Sequence, residues 1–243
     1  LVMYVLFALV AITQFNLEIH AKVKHQDAVD LKSKENRKRF TAMMLVCAMF
    51  AICWIAYIQW ETTIASFTQS INISMSQYSV LWTINGIMIL VAQPLIRPII
   101  VILRGNLKHQ MFVGILIFMS SFLVTSFAHH FAIFVVGMVI LTFGEMFVWP
   151  AVPTIANKLA PEGKQGQYQG FVNSASTVGK AFGPFIGGIL VDAMNMSMMF
   201  VGMIVLLCFG LIFLSIFDRG LPKDKNETPI PRRRKRRKSK ASK

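Results

Sequence analysis

Gly166-Gln-Tyr-Gln-Gly-Phe-Val-Asn-Ser-Ala-Ser-Thr-Val-Gly-Lys-Ala-Phe-Gly-Pro-Phe-Ile-Gly-Gly188 is long enough to cross a bilayer, yet it carries glycines, hydroxyls, an asparagine, a lysine and a proline. Gly179, Gly183 and Gly187 recur every four residues, so on a helix they form one nearly flat ridge. In lipid a ridge of that kind lets a neighbouring backbone approach closely, and such packing drives helix association there. Pro184 removes a backbone donor and crowds the carbonyl of Lys180, so a kink is expected beside the lysine. Gly188 extends the glycine cluster by one residue. A helix like this needs membrane-embedded neighbours.

The rest of the chain supplies them. Of 243 residues, 55% are hydrophobic and 15% are charged, well below the roughly 25% charged content of a soluble domain. The sequence predicts an all-α membrane protein with seven spans. The first, Leu1–Phe15, is shorter than the ~20 residues a crossing needs, and the chain opens with leucine inside an apolar run. It reads as a truncated helix, the end of a missing N-terminal part. Residues 16–40 form a polar linker, and residues 41–217 hold the remaining spans: Thr41–Thr63, Ser79–Ile99, Met111–Phe127, Phe131–Ile155, Gln167–Val191 and Met196–Phe217. Residues 218–243 are a basic tail. Cys47, Cys53 and Cys208 fall inside apolar runs with no metal or disulfide spacing, and read as small buried hydrophobes.

A net charge of +14 could suggest nucleic acid, but its placement argues against that. Of 25 Lys and Arg, seven lie in the linker, twelve in the tail, and Arg97, Arg104, Lys108, Lys158 and Lys164 in intervening loops on the same side of an alternating topology. The opposite loops, near Ser66–Gln77, His129-His130 and Asp192–Asn195, hold none. By the positive-inside rule, linker and C-terminus are expected to be cytoplasmic.

Ionisable groups inside a span are costly and point to function by default. Glu145 and Lys180 both fall near mid-span in helices of opposite direction joined by a short loop, so they are expected to compensate each other or to line one aqueous cavity. Thr142, Glu145 and Trp149 share a helical face, and Pro150 and Pro153 weaken the same helix, as at the broken helices of transporter sites. Trp54, Tyr57 and Glu61 repeat that spacing, with Gln59 alongside; Glu61 and Trp60 also fit an ordinary interfacial belt. Asn85 could join the site or simply bond between helices. Glu145, Lys180, Glu61, Tyr57, Gln59, Trp149 and Asn85 are therefore the candidate proton- or substrate-binding residues. No nucleophile elbow, phosphate loop or metalloprotease pattern is present, and no catalytic residue, metal or cofactor is expected.

The segment Gly179-x-x-x-Gly183-Pro184-x-x-Gly187-Gly188 resembles the antiporter motif of the major facilitator superfamily. Its approach, Ala160-Pro-Glu-Gly-Lys-Gln-Gly-Gln-Tyr-Gln-Gly170, is similar to the loop preceding that helix in bacterial multidrug members. The topology resembles the sixth helix, central loop and six-helix C-terminal half of a twelve-helix carrier. One feature departs from the family pattern: the stretch from Gln93 to Gly105 lacks the aspartate of the superfamily's loop signature. The resemblance implies an integral protein of a bacterial cell membrane that transports by alternating access, most simply by proton-coupled efflux of amphipathic organic compounds or drugs. Its implied partners are a small-molecule substrate, the proton, the lipid bilayer and the missing N-terminal half. Uptake of a sugar or peptide by the same fold is the alternative within the class. A seven-span receptor or membrane scaffold is the alternative outside it.

Overall fold

The computed structural model describes residues 34–102, 106–219 and 221. The span expected at Leu1–Phe15, the linker up to residue 33 and nearly all of the basic tail lie outside the described residues. Within them the chain is built from helices: α1 (Lys34–Tyr57), a 3-10 turn (Ile58–Trp60), α2 (Thr63–Ser70), α3 (Met75–Ile102), α4 (Leu107–Thr125), α5 (Phe131–Leu159), α6 (Gln165–Ala193) and α7 (Met196–Ile216). Five helical stretches are long and apolar enough to cross a membrane, the first of them running as one unit over Glu35–Ser70. The 29-residue α6 is also long enough, but its glycines and hydroxyls make it too polar to count by composition.

Two helix boundaries differ most from expectation. The end of the linker is helical from Lys34, where Arg39 donates to Glu35 at 2.7 Å in an i, i+4 pair. The first described span also extends past Thr63 to Ser70. Its polar residues there bond to their own helix: Thr62 Oγ1 donates to the Ile58 carbonyl at 3.0 Å and Thr68 Oγ1 to that of Ala65 at 2.8 Å.

α1 is the central post of the bundle. It packs against α5, α6 and α7, and Met43, Val46, Met49 and Cys53 are fully enclosed. Trp60 is enclosed as well, so it belongs to the core and not to an interfacial belt. α4 and α5 form the most extensive pair. Their glycines explain why: a Cβ on Gly144 would stand 3.0 Å from the Gly114 carbonyl oxygen, and one on Gly114 would stand 2.6 Å from Val148 Cγ2. Ser121 Oγ completes the seam by donating to the Gly137 carbonyl at 2.8 Å. α3 leans on α5 alone over most of its length, and Ile87, Leu90 and Val91 stay exposed.

Connections are short and capped. Asn72, at φ 62°, turns the chain from α2 into α3, and Gly163, at φ 75°, turns it from α5 into α6. Asn106 accepts from the Lys108 and His109 amides at the start of α4, and Asn195 caps α7 through the Met198 amide. Lys108 Nζ donates to the Ser215 carbonyl at 2.9 Å and to Asp218 at 2.6 Å, tying the start of α4 to the end of α7. Cys47 and Cys53 are buried as expected, whereas Cys208 lies exposed on the outer face of α7.

Candidate functional site

The α1–α6 junction sets the geometry. A Cβ on Gly179 would lie 2.5 Å from both Ala51 O and Trp54 Cβ; one on Gly183 would collide with Ile58 Cγ2, and one on Gly187 with Gln59 Oε1. The three glycines therefore press α6 onto the backbone of α1. Gly188 is not part of that ridge, since a Cβ there would meet nothing within 4 Å. Pro184 sits at the junction, and the helix continues through it from Gln165 to Ala193. Gln59 is fully buried here. Its Nε2 donates to the Ile55 and Gly183 carbonyls, each at 2.8 Å, and its Oε1 accepts from Thr63 Oγ1 at 2.7 Å. Every hydrogen-bonding atom of that side chain is thus committed to holding the two helices.

Close packing on α6 turns α1 so that Trp54 and Tyr57 face α5. There they meet Trp149, which makes ring contacts with Trp54 (4.8 Å between centroids, stacked), Tyr57 (5.4 Å), Phe50 (5.5 Å) and Phe118 (5.4 Å). Trp82 of α3 closes on Tyr57 at 6.2 Å. One aromatic layer therefore spans α1, α3, α4 and α5. The proline-bearing stretch of α5 beside it is braced from outside: Gln110 Nε2 donates to the Phe147 carbonyl at 2.9 Å, and Gln169 Nε2 to that of Pro153 at 2.8 Å.

Glu145 lies behind this layer and is buried at 9% exposure. Asn85 Nδ2 donates to Glu145 Oε2 at 3.0 Å and to Thr142 Oγ1 at 3.0 Å, while Thr142 Oγ1 itself donates to the Met138 carbonyl at 2.8 Å. Tyr57 lies close enough to the Glu145 carboxyl to interact with it electrostatically. Asn85 thus bonds from α3 to α5 at the Glu145 carboxyl. Of the two arrangements expected for Glu145 and Lys180, the ion pair does not form: among the described residues the ion pairs are Glu35–Arg39 and Lys108–Asp218. Lys180 is exposed, and its ammonium stands over the Trp54 ring at 4.0 Å from the centroid. The reason is helical phase. Lys180 follows Gly179 by one residue, about 100° around the helix, so it projects past the edge of α1 rather than toward α5.

The two midspan charges therefore flank one aromatic layer from opposite sides. Glu145 is satisfied by neutral donors. Lys180 is not compensated in the same way. A cation at mid-helix costs ~2.5–3.5 kcal/mol on insertion scales, and a cation–π contact returns ~0.5–2 kcal/mol. Water or an anionic partner must supply the difference. Asn173 and Thr177, exposed on the same face of α6, extend this polar strip toward the Gln165 end.

Glu61 is exposed just after the 3-10 turn, four residues beyond Tyr57 and close enough to act electrostatically on Tyr57 and Tyr78. Sequence reading missed a second feature at that end, an open cavity of about 440 Å³ between the α1–α2 region and the end of α6. Thr62, Thr63, Ser66, Gly188 and Asp192 are among its lining residues. Its signal in the sequence was the run of hydroxyls from Thr62 to Ser70, which hydropathy alone discards.

Comparison with known proteins follows the same lines. Residues 40–242 match the sequence model of the family described as the Major Facilitator Superfamily. The chain is 43% identical over 220 residues to the uncharacterized MFS-type transporter YttB of Bacillus subtilis, covering 90% of this chain and 55% of that protein. An uncharacterized MFS-type transporter of Methanocaldococcus jannaschii is 34% identical over 86 residues, 35% of this chain and 22% of that protein. The chain thus spans little more than half the length of the Bacillus relative.

Proposed function

Because the chain belongs to the major facilitator superfamily, we propose that it forms one wall, the C-terminal half, of a proton-coupled carrier exporting amphipathic organic compounds. The other wall is the N-terminal half, and substrate passes between them by alternating access. In this reading linker and C-terminus are cytoplasmic, as the one-sided distribution of Lys and Arg supports.

The observation that carries the reading is Glu145: a buried mid-helix carboxyl, held by Asn85 and bordered by Tyr57, with no cation paired to it among the described residues. The chemistry of its neighbours suits it to proton exchange. An ionised carboxylate only accepts; Asn85 Nδ2 donates to it, and in this reading the neighbouring Tyr57 hydroxyl turns to donate as well. When the carboxyl takes a proton it gains a donor, and the Tyr57 hydroxyl can reverse and accept. The Asn85 amide nitrogen cannot, so the exchange is read out through Tyr57. Tyr57 packs on Trp54, Trp82 and Trp149, so the change reaches the aromatic layer directly. A substrate lying against that layer is thereby coupled to the proton on Glu145. Gln59, by contrast, acts in this account as a helix clamp.

The test uses vesicles holding the carrier expressed from its complete reading frame. Glu145→Gln is expected to abolish accumulation driven by an imposed pH gradient while leaving substrate–substrate exchange within about threefold of the parent. Gradient-driven export that survives the substitution unchanged would remove Glu145 from the coupling role.

A further inference from the structure

We infer that Lys180 and Trp54 dock the anionic group of the substrate, so that the carrier selects amphipathic organic anions: a flat apolar body bearing a carboxylate. This rests on the carrier reading above and narrows its substrate class.

Four observations converge on it. Lys180 sits midway along α6, exposed, and makes no ion pair among the described residues. Its ammonium is fixed in place by the Trp54 ring at 4.0 Å, so the charge is held at the edge of the aromatic layer. The Trp54 indole N–H is buried and has no acceptor among the described residues, which leaves a second donor at the same place. Asn173 and Thr177 add exposed polar groups at i−7 and i−3 from Lys180.

The opposite charge preference is disfavoured by the same arrangement. The Trp54 face that would hold a cationic ligand is already occupied by an ammonium. Of the carboxyls near the layer, Glu145 is buried and already bonded to Asn85, and Glu61 stands a full turn beyond Tyr57 on the side away from Trp54 in sequence. An incoming cation would meet Lys180 first. An incoming carboxylate meets donors, and its apolar body finds the Trp54–Trp149 stack.

Equilibrium binding of three tritiated probes to the purified carrier separates the possibilities: naphthoate, its neutral amide, and naphthylmethylammonium. Naphthoate is expected to bind at least tenfold tighter than the amide, and the cation weakest. Lys180→Gln should erase the difference between naphthoate and amide, whereas Lys180→Arg, which keeps the charge, should retain most of it; both must elute as the parent does in size-exclusion chromatography. Tightest binding of the cation, or an anion preference unaltered in Lys180→Gln, would overturn the inference. If no probe binds while pH-driven export of other compounds persists, this inference falls alone. If that export is absent too, the carrier reading falls with it.

Discussion

The α4–α5 and α1–α6 junctions use the same device and serve different ends. In both, glycines bring two helices to backbone contact: Gly114 and Gly144 in the antiparallel first pair, Gly179, Gly183 and Gly187 in the parallel second pair. The α4–α5 seam is lined by Phe118, Val148 and the hydroxyl of Ser121; Glu145 follows Gly144 by one residue but bonds away from the seam, to Asn85 of α3. The α1–α6 seam is clamped by a buried amide, Gln59, and borders both Lys180 and the aromatic layer. Close glycine packing by itself therefore signals assembly. It becomes part of a site only where the residues beside it are polar.

That contrast can be broken experimentally, and the largest effect should come from the assembly seam. Gly144→Leu would drive a side chain into the Gly114 carbonyl and the Phe118 amide, backbone atoms 3.0 and 3.2 Å from the added Cβ. The expected result is loss of the folded, monodisperse protein in detergent. Gly183→Leu meets the Ile58 side chain first, with the Ile55 backbone 3.2 and 3.3 Å from the added Cβ; the folded fraction should bind substrate within about threefold of the parent while its transport falls at least tenfold. Vesicle transport and equilibrium binding, measured side by side, check this; a Gly183→Leu carrier with normal export would erase the distinction between the seams.

Smaller changes sharpen it. Tyr57→Phe keeps the ring in the aromatic layer but removes the hydroxyl that reverses on Glu145, so gradient-driven export should drop several-fold with exchange preserved. Gln59→Leu strips the clamp and leaves Thr63 without its acceptor. A stability loss of about 1–3 kcal/mol is expected, visible as a lower melting temperature with the probe-charge preference intact. Asp218→Asn should matter least, since the half-exposed Lys108–Asp218 pair is worth about 0.2–1 kcal/mol.

Much of this architecture was legible in the sequence, for physical reasons. Apolar runs bounded by lysines and arginines located the described spans, and the four-residue glycine repeat announced close packing. The partner of that ridge was not legible. The short loop Ala160–Lys164 suggested α5, yet α6 lies chiefly on α1 and meets α5 mainly where Gln169 reaches Pro153 and Asn157. Sequence spacing gives depth along a helix but not which neighbour a face meets, and this misplaced Lys180. Depth put it level with Glu145, while the ridge turned it onto Trp54. Gln59 shows the same limit: a polar side chain in a span looks alike whether it faces a cavity or a helix backbone, and here it bonds to the Gly183 carbonyl. Asn85 was recoverable only as one option, since its contact with Glu145 joins residues 60 positions apart.

The central claim is that Glu145 takes up and gives back the transported proton. Infrared difference spectra of the carrier in lipid, recorded between acidic and alkaline pH, test it most directly. The account predicts a carbonyl-stretch band of a buried carboxylic acid that appears on acidification, is lost in Glu145→Gln, and shifts in Tyr57→Phe. An identical band in Glu145→Gln would assign the proton to another group and contradict the account.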